Sequence, residues 1–418
     1  MRKRTTRGSD NNEAMLWTRR GALTLPLGFA LSACSSSLPS FMGGDDPQPV
    51  PGPNANNQIE QQPLNNIGAG NVRVGLILSL SGSGNAGIAA QSMRNAAELA
   101  LSEFNSPNIQ LIVKDDGGTA QGARQAAEQA ISEGVEIVLG PLFSHAVAAA
   151  GQITRTRSVP MIAFSTDSNV AARGIYLLSF QPENDIDRVI SFSAARGKKS
   201  ITGFVPDNAY GNVVEAAIKQ FGSRFGKVNA VERYGGGQAD ALSAVRRAQA
   251  AYRITDLIVI ADGADATPRV LQALNSVGVT PKRIQFVGAG LWDDQNVFAI
   301  RELEGAWFAA PDNNGFAGFS QRYQARFRAQ PARTASLAYD AVSLVAQLVK
   351  SQGPNRFTEE VLTSRSGFAG VDGVFRFRND GTCERTLSIM EIRGGTSRVL
   401  QAAPNNFNTP APAPAVAN

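Results

Sequence analysis

The segment DDGGTAQGARQAAEQAISEGVEIVLGPLFS, Asp115 to Ser144, opens on two carboxylates and a Gly-Gly turn. AQGARQAAEQAISEG then reads as an Ala-rich helix, and VEIVLG as a short buried strand running into a Gly-Pro loop. Upstream, IQLIVKD is a strand and QSMRNAAELALSEF a helix. VRVGLILSL (Val72–Leu80) is a near-continuous apolar run, as a strand covered on both faces requires. After Pro182 the pattern restarts with SITGFV, NVVEAAIKQF, KVNAVERY, ALSAVRRAQAA, DLIVIA, TPRVLQALNSV and RIQFVG. Val214, Ala217, Ile218 and Phe221 keep helical spacing, as do Val270, Leu271, Leu274 and Val277. Strands alternating with helices, without hairpin signals, predict parallel sheets flanked by helices. The expected fold is α/β with two lobes.

Both ends of the chain have a different composition. Six Lys/Arg and two Asp/Glu lie in residues 1–33, where GALTLPLGFALSA (Gly21–Ala33) runs without a charge. That run is too short to span a bilayer as a helix but suits the apolar core of an export signal. TRRGAL resembles a twin-arginine export motif. LSAC (Leu31–Cys34) resembles a bacterial lipobox, which makes Cys34 the expected lipid attachment site. Beyond residue 33 the chain carries 34 basic and 33 acidic residues, so the overall +5 belongs largely to the signal and does not point to nucleic acid. Residues 34–70, rich in Ser, Pro, Asn, Gln and Gly, and the tail 401–418 lack the apolar surface to fold and are expected to be tethers. Cys383, the second of two cysteines, has no partner for a disulfide once Cys34 is acylated, and should be buried and inert.

Chemistry is sparse. GSGNAG (Gly82–Gly87) fits a dinucleotide fingerprint, but Asp115 comes 28 residues after Gly87, later than the ribose-binding acid of that motif. A loop allowing close backbone approach accounts for the same glycines. His145 is the only histidine. Ser144 sits at a predicted helix N-cap, where its hydroxyl serves the helix's own amides or faces an anion. Asp115 and Asp116 read as a solvated turn. With no nucleophile elbow and no metal-ligand spacing, neither an enzyme, a metal nor a cofactor is expected.

Asp115–Ser144, followed by VPMIAFSTD, FQPEND, PDNAYG, FVGAGLWDD, TASLAYDAVSLVAQLV and GVDGVFRFRNDG, resembles the leucine/isoleucine/valine-binding type of extracytoplasmic solute-binding protein. The likeness runs from about Val72 to Gly394. It implies a type I periplasmic-binding clamshell whose chain crosses between lobes near Gln181, Pro311 and Gly353. Lobe 1 would then comprise 71–181 and 311–353, and lobe 2 would comprise 182–310 and 354–400. The ligand would sit in the cleft, at the carboxyl ends of the strands. By that resemblance Ser144 matches the serine that helps hold a ligand carboxylate, and the next contact pair falls on Thr166 and Asp167. Asp167 departs from the pattern, since a carboxylate there repels another. Tyr210 matches a position near the ligand, while Gly263 and Gly290 stand where an aromatic and an acidic anchor are usual, with Asp262 and Asp293 nearby. The candidate cleft residues are Ser79, Ser144, Ser165, Thr166, Asp167, Tyr210, Asp262 and Trp292; isolated aromatics such as Tyr210 and Trp292 also fit core packing.

The implied function is non-catalytic binding of a small polar, amino-acid-like solute for an ABC permease. SEFNSPNIQLIVKDD lacks the Gly-Gly insert usual in transport members, and the long polar linker with GLWDD is similar to a second branch, the penicillin-binding protein activators that contact a peptidoglycan synthase. Ser35 after the acylated cysteine is not the Asp that retains lipoproteins at the inner membrane of Gram-negative cells. Outer-membrane residence, facing the periplasm, is therefore expected there.

Overall fold

The computed structural model describes residues 66–105 and 107–407. The expected signal, the Cys34 lipidation site and the start of the tether lie outside them. Among the described residues no helix is long and apolar enough to cross a membrane.

Lobe 1 begins with β1 (Val72–Leu78), α1 (Asn85–Ser102), β2 (Ile109–Asp115), α2 (Ala120–Ser132), β3 (Ile137–Leu139), α3 (Ser144–Thr156), β4 (Met161–Ala163) and β5 (Ile175–Leu177). Its five strands are all parallel, in the order β2-β1-β3-β4-β5. The apolar run of β1 explains its central place: Val74, Leu76, Ile77 and Leu78 are wholly buried because helices cover both faces. GSGNAG forms the β1–α1 turn, with Gly84 at positive φ and Gly87 so close to the Gly82 carbonyl that a side chain there would collide.

Lobe 2 repeats the plan: α4 (Pro182–Ala195), β6 (Ser200–Pro206), α5 (Ala209–Phe225), β7 (Lys227–Tyr234), α6 (Gln238–Arg247), β8 (Leu257–Ile260), α7 (Thr267–Ser276), β9 (Gln285–Gly288), α8 (Gln295–Phe298) and β10 (Trp307–Ala310). The chain then continues through α9 (Asn313–Phe327), α10 (Ala335–Ser351), α11 (Glu359–Leu362), β11 (Phe368–Gly370), β12 (Gly373–Phe377), β13 (Cys383–Arg385), β14 (Ser388–Arg393) and β15 (Thr396–Gln401). The second sheet runs β15-β14-β10-β9-β8-β6-β7, with β14 antiparallel to β10 and β15 antiparallel to β14. It is sandwiched between two apolar layers, one centred on Val270, Phe286 and Phe308 and the other on Ile186, Val189, Ile218 and Ile389.

Two features differ from the sequence reading. The third crossing between lobes is at Arg385–Ser388 rather than near Gly353, so 354–385 does not belong with lobe 2. Leu362, Phe375, Phe377 and Cys383 join the core formed by β1, α1 and α10, while Leu387 and Ile389 join the core of lobe 2. The alternating apolar faces of the small antiparallel sheet β11-β12-β13 are buried against lobe 1 before the chain returns. Hairpins are also present, turning at Val371–Asp372, at Asn379–Gly381 and at Gly394–Gly395. Cys383 is a free, buried thiol, pushed up to about 11 by burial.

Candidate functional site

In both sheets the candidate residues lie at the carboxyl ends of the parallel strands. Lobe 1 brings Ser79, Asp115–Asp116, Pro141–Ser144 and Ser165–Asp167 to the ends of β1–β4. Lobe 2 brings Asp207–Tyr210, Asp262 and Ala289–Asp293 to the ends of β6, β8 and β9.

On lobe 1 most candidate groups bond to one another. Buried Ser79 donates to Asp116 Oδ1 at 2.6 Å, and the Gly118 amide donates to the same oxygen at 2.7 Å. Asp116 is 1 % exposed, so the pair is a buried strand-end clasp rather than the solvated turn expected. Burial raises its pKa, partly offset by the Ser79 and Gly118 hydrogen bonds. His145 Nε2 lies 2.9 Å from the Gly118 carbonyl and fixes that turn from the other side. Ser144 is the first residue of α3; the N-cap is Phe143, so the expected Ser144 cap is not formed. Ser165 Oγ accepts the Asp167 amide at 3.1 Å, and Asp167 Oδ1 accepts the Asn169 amide at 3.0 Å, while Thr166 is exposed. Ser79→Ala should therefore lower stability by about 1–2 kcal/mol, the cost of leaving a buried carboxylate short of a donor. Urea unfolding measures this; an unchanged midpoint would show that the clasp contributes nothing.

On lobe 2 the structure separates the candidates. Trp292 is wholly buried in the core beside Phe286 and Phe308 and does not line the cleft. Gly288 makes this possible, since a Cβ there would collide with the indole. Asp262 accepts the Tyr234 hydroxyl at 2.7 Å and the Gly263 amide at 2.8 Å, and is used in organising its own loop. Tyr210 does reach the cleft.

It does so at the hinge floor, in a cavity of about 240 Å³ walled by Phe180, Pro182, Asp185, Tyr210, Leu291 and Asp293, with Ala310, Pro311 and Arg333 closing it. Pro182 starts α4 at a position where proline costs no hydrogen bond, and Asp185 follows in the first turn. The Asp185 side chain is half-buried at the cavity wall. Burial pushes it up to about 7 despite the Gly290 amide, which donates to it at 2.9 Å. Asp293 is likewise raised by burial, and accepts Asn313 Nδ2 at 3.1 Å. The Tyr210 hydroxyl is shut off from solvent, with no hydrogen-bond partner among the described residues. Three larger depressions occur among the described residues: those of about 820 and 610 Å³, around Leu101 and Phe104 and around Tyr176 and Arg356, lie away from the carboxyl ends of the strands, and one of about 470 Å³ lies beside the β1–α1 turn, against Gln91 and Tyr323.

Sequence reasoning missed Phe180, Asp185, Leu291 and Arg333 as site residues, and had Asp293 only as a neighbour. For Phe180 and Asp185 the signal was FQPEND, recognisable as a hinge but not as a cavity wall; nothing local marks Leu291 or Arg333.

A family model described as periplasmic binding protein matches residues 71–396. The chain belongs to the periplasmic binding protein family. Its members are extracytoplasmic solute-binding proteins without catalytic activity. No match was found among curated protein sequences. A putative branched-chain amino acid ABC transporter protein from Rhodospirillum rubrum superposes with a TM-score of 0.68 at 20% identity, over 78% of this chain and 99% of that one. A branched-chain amino acid transporter substrate-binding protein from Streptococcus pneumoniae, in complex with isoleucine, gives 0.55 at 20% identity, over 80% and 99%. A solute-binding protein from Rhodopseudomonas palustris, in complex with 3,4-dihydroxybenzoic acid, gives 0.57 at 19% identity, over 80% and 97%. These likenesses establish the two-lobed fold of this periplasmic binding protein.

Proposed function

We propose that this protein is a solute receptor that closes its lobes on a small polar, amino-acid-like molecule and presents it to an ABC permease. The observation that carries the reading is the hinge-floor cavity, where a buried Tyr210 hydroxyl without a partner among the described residues and two half-buried carboxyls, Asp185 and Asp293, sit among apolar walls. Its volume, below the ~300 Å³ at which drug-sized pockets begin, suits a small solute. Structural relatives hold ligands of that size, isoleucine in one and dihydroxybenzoic acid in another. Closure would be a population shift, driven by tighter binding to the closed state. Acylation of Cys34 would hold the receptor at the envelope, with residues 34–70 as its reach.

The second reading, a penicillin-binding protein activator docking on a peptidoglycan synthase, draws support from lobe 1. Asp167, one of the pair on which the resemblance places a ligand contact, is engaged in its own turn, its carboxylate taking the Asn169 amide and its amide donating to Ser165.

Thermal unfolding of the full chain in detergent, against amino acids, amines, organic acids and peptidoglycan fragments, separates the two. A ligand at a hundred times its dissociation constant adds about 2.7 kcal/mol. That should raise the midpoint by a few degrees or more, roughly. A saturable shift with one solute class is expected; no shift with any would favour the synthase partner.

A further inference from the structure

Charge at the cleft floor is lopsided. Among the cavity's lining residues the carboxyls are Asp185 and Asp293, and the one cation is Arg333. Arg333 is already committed. Its Nη1 and Nη2 bond the two oxygens of fully buried Asp372 at 3.0 and 2.6 Å, and Nη1 also donates to Ser336 at 3.1 Å. Its positive charge is thus largely cancelled before it reaches the cavity. Asp185 and Asp293 have weaker support. One oxygen of Asp185 takes the Gly290 amide, and one of Asp293 takes the Asn313 side chain. No ion pair to either forms among the described residues.

A second observation points the same way without involving charge. Tyr210 lines the same cavity, and its hydroxyl is sealed from bulk solvent with no hydrogen-bond partner among the described residues. A phenol oxygen can accept a hydrogen bond from an N–H. The remaining walls are apolar, from Phe180, Pro182, Leu291, Ala310 and Pro311.

We infer that the solute is a small organic cation, an amine on a short apolar frame, whose charged nitrogen is held by Asp185 and Asp293 against the Tyr210 hydroxyl. This rests on the solute-receptor reading above and names its substrate class. Half-buried carboxyls with one hydrogen bond each and no ion pair among the described residues carry a desolvation cost, which an entering cation offsets. A ligand carboxylate at this floor meets two like charges and no free cation, so the amine binds better than its zwitterionic parent.

The decisive experiment is calorimetry on the full chain with charge-matched probes. These are isopentylamine, leucine and 4-methylpentanoate, which share an alkyl frame, together with 2-phenylethylamine, phenylalanine and choline. An amine should bind at least about tenfold tighter than the amino acid of the same frame. Asp185→Asn and Asp293→Asn, which keep size and an acceptor oxygen, should each weaken the amine at least about thirtyfold. Affinity should also rise from pH 6 to pH 8, because the cation needs Asp185 ionised, and this slope should vanish in Asp185→Asn. Glu183, Arg385, Tyr210 and the Gly290 amide also face Asp185 and stay unchanged in that variant. Tighter binding of leucine, phenylalanine or 4-methylpentanoate would overturn the cation inference and leave a solute receptor standing. If none of the six probes binds, the cation inference falls and the receptor reading falls with it.

Discussion

Replacing Arg385 by alanine should cost about 3–5 kcal/mol of folding stability, the range for removing one member of a buried ion pair. Arg385 ends β13 at the third crossing between lobes, with its side chain 2 % exposed. Its nearest anion is Asp340 Oδ2 at 3.9 Å, on α10, and that side chain is 1 % exposed. None of the three guanidinium nitrogens makes a hydrogen bond among the described residues. The ring centroids of Phe180 and Phe375 lie 5.3 and 5.4 Å away, which gives the cation a weak substitute for solvent. Truncation leaves Asp340 buried with only the Val371 amide, 2.7 Å from its other oxygen. Guanidinium unfolding of Arg385→Ala, Asp340→Asn and the double variant would measure the coupling. The loss in Arg385→Ala should shrink at pH 5.5, where Asp340 can carry a proton. A loss below about 1 kcal/mol at pH 8 would mean that water, rather than the partner, solvates both groups. Because the Phe180 ring sits between the cavity and this pair, the same experiment asks whether the hinge's inner charge supports the cleft floor.

The lobes themselves were legible because their strands are buried on both faces and their helices on one. VRVGLILSL has no amphipathic alternation, and only a central parallel strand uses such a run; it became β1. The spacing of Val214, Ala217 and Ile218 marked α5, which buries those three residues. The end of the chain was less readable for a physical reason. GVFRF, CER and SIMEIR alternate as half-covered strands do, and alternation says which side is buried but not against which core. Asn379-Asp380-Gly381 and Gly394-Gly395 are turn-forming residues at two of the hairpins, and the reading of strands alternating with helices passed over them. Nothing local distinguishes Phe375 and Phe377, which bury against lobe 1, from Ile389, which buries against lobe 2.

The site was less legible than the fold because it depends on what each side chain meets. Tyr210, expected near a ligand from the motif that places it after β6, lines the hinge-floor cavity. Trp292 follows GAG, a loop-like run, and only the missing Cβ of Gly288 decides that the indole turns inward. Ser79 is a serine at a strand end like many others, until Asp116 is seen 37 residues later to accept its hydrogen bond. Asp185 looks like an ordinary first-turn carboxylate, stabilising the N-terminus of α4. Its enclosure comes from Gly290, more than a hundred residues away.

The protein should be more stable near pH 5 than at pH 8, against the usual expectation for a chain with many surface ion pairs. Burial raises Asp185 and Asp340 from the ordinary 3.8 to about 7. Asp116, Asp187 and Asp293 are raised in the same direction, also by burial. Between about pH 4 and 7 the folded protein therefore binds protons that the unfolded chain has already released. By linkage, stability then falls as pH rises. The contribution is fully present below the unfolded value and lost as pH passes through the folded one. For Asp185 and Asp340 it is on the order of a few kcal/mol each. Glu215, held below its usual value first by its hydrogen bond to Lys219 and then by Arg233, works the opposite way, but only as pH drops below about 4.5. The optimum should thus lie near pH 5. Denaturant midpoints from pH 4.5 to 8.5 would trace the curve, and Asp340→Asn should flatten a large part of its descent. A midpoint that rises to pH 8 would mean that both carboxyls find solvent or a counter-charge in solution. An amine that binds ionised Asp185 has the reverse dependence. Added at pH 8, it should recover more stability than at pH 5, because it supplies from outside the counter-charge that the cleft floor lacks.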